Sequence, residues 1–342
     1  MLEFGIKALI AILPVVVFLL VLLHLDSHRL IGHHRIGQIF GFGALLAVAA
    51  YFVNGFLLQS LPVDFTAYSQ NVAPYIEESL KAGIIIYLFR SDRIGFQVDA
   101  AIMGYAVGAG FSFVENLFYL SHAGDVHYGV WVVRGFGTAI MHGGCTALFA
   151  VISQIMTEHH RHMNPLWYLP GLLAASLFHS IFNHFPVSPV LSTVATLLLI
   201  PTLMFLLFEK NEVSIHNFLE VDFDQHRRLL RQFETGEFSG CETGRFLRDL
   251  ERIHDTPHVR DMITYIHVHT ELVLSAEGVL LARERGVDVT VEDHIRHKIQ
   301  FMHTLESRIG KAGMHTLNPH LKLSKHEFWV IHMFEDELPE IA

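Results

Sequence analysis

Seven stretches of mostly apolar residues fill the first 208 positions: roughly 6–25, 37–61, 73–89, 98–120, 130–156, 166–185 and 190–208. A membrane helix needs about 20 such residues. A backbone in lipid must satisfy its own hydrogen bonds, so runs of this kind are helices. Charge divides the chain at the same place. Residues 1–208 carry 8 Lys+Arg and 10 Asp+Glu, whereas residues 209–342 carry 16 and 24. The expected fold class is therefore all-α: a polytopic membrane protein of about seven transmembrane helices (1–208), followed by a soluble helical C-terminal domain (209–342).

The first stretch is too long for the usual signal-peptide core of about 7–15 residues, and Leu25-Asp26-Ser27-His28-Arg29 is no small-residue cleavage site, so it reads as a retained anchor. Loop charges set an expected orientation. The loops after helices one, three and five hold Arg29, Arg35, Arg90, Arg93 and Arg161, and those after helices two, four and six hold no Lys or Arg. Positive loops stay inside, which puts the N-terminus outside and the tail in the cytoplasm. The tail reads as helical over 218–233, 243–253, 259–285 and 291–309. Gly240, Pro257, Gly286 and Gly310 act as breaks, and Thr290-x-x-Asp293 as a cap signal. Net charge is −10 with no basic stripe, which argues against nucleic acid as a partner. The two cysteines, Cys145 and Cys241, give no disulfide framework and read as apolar fillers.

Ionisable residues inside apolar helices carry the functional signal, because each is costly there. Helix three holds Glu77, Glu78 and Lys81, helix four Glu115 with Asn116, helix five His142, and helix six His179 with Asn183. At about 1.5 Å per residue these fit one layer roughly 5–15 Å below the outer surface. Each has a plainer reading. Glu77 and Glu78 suit a helix start, Glu115 is a buried acid, and His142, His179 and Asn183 are polar contacts between helices. The glycines of Gly104-x-x-x-Gly108 and Gly143-Gly144 fit close helix packing, and His159-His160-Arg161-His162 a solvated loop. Lys81 lies four residues from Glu77 and three from Glu78, so one glutamate pairs with it and the other is free for chemistry. Glu77 is the expected general base and Glu78 the partner of Lys81, although the roles can be exchanged.

Peptide hydrolysis needs an activated water, an oxyanion stabiliser and a proton donor. A glutamate supplies the base and Asn183 an oxyanion donor. His142, His179 and Glu115 can hold zinc with an open position. The same set also suffices without metal, through a glutamate–histidine pair, and no H-E-x-x-H motif is present.

Glu77-Glu78-x-x-Lys81, Phe111-x-x-x-Glu115-Asn116, His142-Gly-Gly-Cys-Thr-Ala and His179-x-x-x-Asn183, in that order and each on its own apolar helix, resemble the four motifs of the PrsW intramembrane proteases. That family is related to the CAAX prenyl endopeptidases and the abortive-infection membrane proteins. The resemblance covers residues 74–183. It implies a multi-pass protease of the bacterial inner membrane, embedded in lipid, whose substrate is a membrane-anchored protein. In the best-known member that substrate is an anti-sigma factor, first cut on the outer side of the membrane. It marks Glu77, Glu78, His142 and His179 as essential, with Glu115 and Asn183 beside them. The family is classed as metallopeptidases, whereas the CAAX enzymes use a metal-free glutamate. Gly143-Gly144 departs slightly from the small pair usual after the first histidine, and the tail lies outside the resemblance.

Two other functions use similar residues. A proton or metal transporter also buries acids and histidines, but it tends to show inverted repeats and broken helices at the midplane, and neither is evident. A haem protein could use His142 and His179 as axial ligands, but would not need the three glutamates. A receptor whose tail is the working part is the plainest alternative.

Overall fold

The computed structural model describes residues 2–26, 31–122, 126–158, 164–235, 246, 256–284, 287, 289, 293–321 and 325–337. Every regular element among them is helical. Arg29, the loop 159–162, Gly240, Cys241, Gly286, Thr290 and, apart from Phe246, the expected helix 243–253 lie outside the described residues. The chain forms two compact units, Met1–Asn211 and Glu212–Ala342.

The first unit contains α1 (Leu2–Leu25), α2 (His33–Ser60), α3 (Phe65–Asn71), α4 (Ala73–Arg90), α5 (Gln97–His122), α6 (Tyr128–Val132), α7 (Ala139–Thr157), α8 (Leu169–His184) and the start of α9 (Pro189–Thr235). A π-helical turn, Val133–Thr138, joins α6 to α7. Among the described residues, six helical segments are long and apolar enough to cross a membrane: Glu3–Leu25, His33–Ser60, Gln97–His122, Tyr128–Thr157, Pro165–His184 and Pro189–Lys210. The seventh expected span is α4, which has 18 residues but carries Glu77, Glu78, Lys81 and Arg90. Among the described residues the membrane unit thus combines six long apolar helices with one shorter, charged one.

The apolar surface is turned outward, as lipid requires. Phe52 and Phe56 on α2 are 68% and 71% exposed, and Leu173, Leu177, Leu198 and Phe205 are exposed on α8 and α9. The interior belongs to α5 and α7. Every residue from Val98 to Ser112 is buried, the signature of a helix enclosed on all sides. The two helices come close because Gly104 and Gly108 face α7 without side chains. A Cβ on Gly108 would collide with the backbone of His142, and one on Gly104 would lie 2.7 Å from the carbonyl oxygen of Thr146. This packing fixes the height of His142. Asp64 starts α3 by accepting from the Ala67 amide at 2.8 Å, and Pro74 sits in the first turn of α4, where its missing N–H costs nothing. A left-handed Phe185 (φ 43°) ends α8.

The second unit contains the last turns of α9, α10 (Thr256–Glu284), α11 (Asp293–Leu321) and α12 (Lys325–Glu337). Gly310, expected to stop a helix, does interrupt it: its positive φ of 68° divides α11 into two helical segments. Met262, Tyr265, Ile266, Leu272, Leu305, Trp329 and Phe334 form an ordinary buried core. One buried charge group crosses it. His226 Nδ1 lies 2.9 Å from Glu277 Oε1, and its Nε2 lies 3.7 Å from Glu327 Oε2. Burial alone would keep this imidazole neutral, but the two carboxylates outweigh it and push its pKa up to about 10. Burial pushes the His269 imidazole down to about 4. A raised folded-state pKa stabilises fully below the ordinary histidine value and stops doing so above about 10. Amide exchange in this unit, corrected for intrinsic rate, is therefore expected to lose protection between neutral pH and pH about 10, and a His226→Gln chain to lose the pH dependence.

Candidate active site

Adjacent residues on a helix point about 100° apart, and α4 uses this to separate its two glutamates. Glu78 turns inward. Its Oε1 accepts from Lys81 Nζ at 2.5 Å and from His179 Nδ1 at 2.8 Å. The carboxyl and the ammonium are both essentially unexposed. Glu77 turns the other way and lines a cavity of about 600 Å³, together with Glu115, Arg134, His142, His179 and Asn183. That volume lies in the usual range of ligand-binding pockets, about 300–1,000 Å³. The remaining wall is largely apolar and aromatic, including Tyr51, Phe52, Phe65 and Phe118.

The partners fix the proton on each histidine. Lysine has only donors, so Lys81 Nζ, 3.2 Å from His142 Nδ1, requires that nitrogen to accept. The His142 proton then sits on Nε2 and is donated to Glu115 Oε2 at 3.0 Å. In His179 the Nδ1–H donates to the carboxylate of Glu78, leaving the Nε2 lone pair towards the cavity. That Nε2 lies 4.0 Å from Glu77 Oε2. The distance is too long for a direct hydrogen bond and leaves room for a bridging water. The two imidazoles stand nearly perpendicular, with ring centres 4.6 Å apart.

Several surrounding residues hold this arrangement. Glu77 Oε1 accepts from Asn54 Nδ2 at 3.0 Å, and Asn54 Oδ1 accepts from Tyr68 at 2.9 Å. Arg134, on the π turn, donates from Nε to Asn116 Oδ1 at 2.9 Å and stacks on Tyr119 at 3.6 Å. Its Nη2 is 3.4 Å from Glu115 Oε1 and makes no hydrogen bond. Asn116 in turn donates to the carbonyl of Ala11 at 2.7 Å, tying α1 to the site. Asn183 donates to the Ser69 carbonyl at 2.9 Å, so one of its two N–H groups is engaged with α3.

All six residues singled out for catalysis thus come together, with Lys81 and Glu78 behind the cavity wall. Asn54, Tyr68 and Arg134 are additional. Asn54 was legible as a polar residue in the apolar stretch 37–61, by the rule that identified the others. Arg134 reads in the sequence only as an interface marker.

The metal-type group differs from the sequence expectation. Glu77, His142 and His179 offer ligand atoms within 4.8 Å of one another, whereas Glu115, expected as the third ligand, is engaged by His142 and lies beside Arg134. His179, backed by Glu78, has the form of a metal-ligating histidine, and Glu77 has a carboxylate oxygen facing it. His142 does not fit. Both its nitrogens are engaged, and binding through Nε2 would place an Nδ1 proton against the Lys81 ammonium.

A family model described as PrsW family intramembrane metalloprotease matches residues 35–208. The chain belongs to the PrsW family. The match spans just over half of the chain, from α2 to the middle of α9, and takes in every residue of the cavity wall named above. PrsW membership makes the chain a multi-pass membrane protein and an intramembrane protease. No curated protein and no solved structure matches the chain.

Proposed function

We propose that the chain is an endopeptidase that cuts a membrane-anchored protein at a site in the outer half of the bilayer. The observation that carries this is the 4.0 Å gap between Glu77 Oε2 and His179 Nε2 at the wall of the cavity. A water in that gap donates one hydrogen to each. Glu77 removes a proton as the oxygen attacks the scissile carbonyl carbon, and returns it to the departing amine nitrogen. His179 orients the water and is itself oriented by Glu78. The oxyanion forms beside Arg134 Nη2, a donor without a hydrogen-bond partner, and the second N–H of Asn183. Glu115 and Lys81 hold His142 in one tautomer against His179. No step passes through a metal, because the hydrogen bonds of His142 oppose ligation.

The loop charges support an N-terminus outside and a tail in the cytoplasm, with the site nearer the outer surface. The cavity's aromatic wall favours an apolar segment next to the cut. A single-span protein of the plasma membrane, such as an anti-sigma factor, has that chemistry.

Proteoliposomes holding the parent and a single-span reporter separate this reading from a transporter. Reporter cleavage without proton or zinc flux is expected, and flux without cleavage would replace the protease by a transporter. Elemental analysis of the parent beside a His142→Ala/His179→Ala chain tests the catalytic type. The geometry predicts no stoichiometric zinc in either. Zinc in the parent and not in the variant would assign both histidines to a metal.

A further inference from the structure

We infer that Asn54 and Tyr68, which lie outside the four motifs, are positioning residues for the proton-accepting oxygen of Glu77. The inference rests on Glu77 being the base.

The direction of the contacts is fixed by chemistry. A carboxylate only accepts, so Asn54 must turn its Nδ2 to Glu77, which it meets at Oε1 and 3.0 Å. Its Oδ1 is then available to the Tyr68 hydroxyl, which donates at 2.9 Å. Tyr68 is buried in α3. The relay therefore occupies one carboxylate oxygen, Oε1, and leaves Oε2 facing His179. Without Asn54 the carboxylate can rotate about its last torsion, a soft sp³–sp² bond, and both oxygens become equivalent.

The far end of the relay is also anchored. α3 is held to α8, the helix that carries His179. Ser180 donates to the Gln70 carbonyl at 2.7 Å, and Asn183 to that of Ser69 at 2.9 Å. Gln70 Nε2 donates back to the Asn183 carbonyl at 3.4 Å. One path of hydrogen bonds thus runs from Glu77 through Asn54, Tyr68 and α3 to the helix of its catalytic partner. It acts beside the direct Glu78–His179 hydrogen bond, which already holds α4 to α8, and its part is to fix the rotation of the Glu77 carboxylate.

The test uses the full chain with Asn54→Leu, Tyr68→Phe and the double variant, each checked for an unchanged melting temperature. Infrared difference spectra against Glu77→Gln isolate the Glu77 carboxyl bands and need no substrate. Asn54→Leu is expected to shift those bands, Tyr68→Phe to shift them less in the same direction, and the double variant to match Asn54→Leu. On the single-span reporter, Asn54→Leu is expected to lower kcat about 10–100-fold with little change in KM, the usual effect of removing an orienting partner. The double variant should be no worse than Asn54→Leu, because Tyr68 acts through Asn54. Unmoved infrared bands, or kinetic losses that multiply, would overturn the relay. Cleavage that survives in Glu77→Gln would instead remove the base assignment, while leaving the infrared result to judge the contact itself.

Discussion

Replacement of Glu77 by Gln is expected to lower kcat by about 10²–10⁴-fold, the usual worth of a positioned general base. The amide has nearly the shape of the carboxyl, and its oxygen can still accept from Asn54 Nδ2. Folding and insertion should therefore be unaffected, and the loss is one of chemistry. His179→Ala is expected to cost a similar factor by removing the second acceptor for the water. Because the two groups bind one water between them, they act as a unit. The double variant should be hardly slower than either single one. Single-turnover cleavage of a single-span reporter measures all three. Losses that multiply would place Glu77 and His179 in separate steps.

Lys81→Met is expected to produce the largest loss of stability. The ammonium and the Glu78 carboxyl are both buried, and removal of one partner from such a pair costs about 3–5 kcal/mol. Two groups are stranded at once. Glu78 loses its counter-charge, and His142 Nδ1 loses its donor. The imidazole proton is then no longer confined to Nε2. Two signals follow. The melting temperature of the detergent-solubilised protein falls, and the ¹⁵N resonances of His142 leave the Nε2–H pattern. Adding Glu78→Gln to Lys81→Met should recover most of the stability, since no charge is then left alone. It should not recover full cleavage, because an amide oxygen at position 78 still accepts from His179 Nδ1–H but brings no negative charge to it. Full activity in the double variant would reduce Glu78 and Lys81 to packing.

Apolar length and the distribution of charge were enough to read the membrane helices, because a run of about 20 apolar residues is a strong signal. α4 was the hard element. Four charged residues in 18 deprive it of an apolar profile, and only its place between two long apolar stretches marks it as part of the bundle. The residues of the cavity were legible because each is expensive in lipid. Their pairing was not. Glu77 and Glu78 both sit at helical spacing from Lys81, and the rotation of α4 about its axis, set by packing against α2 and α8, decides which one turns inward. The same limit explains why Glu115 was expected with the two histidines. The chain does not reveal that the π turn would bring Arg134 to that carboxylate. Asn54 shows the opposite case, a residue visible by rule whose partner, 23 positions away, only the fold supplies.

Mapping a cut by mass spectrometry tests most directly whether this cavity hydrolyses peptide bonds. The parent and Glu77→Gln are each reconstituted with a single-span reporter of apolar sequence, and the products are sequenced from both ends. One major cut in the half of the reporter nearer the outer surface, present with the parent and absent with Glu77→Gln, is the expected result. A cut of equal yield with Glu77→Gln, or one confined to the cytoplasmic half, would contradict the proposed site.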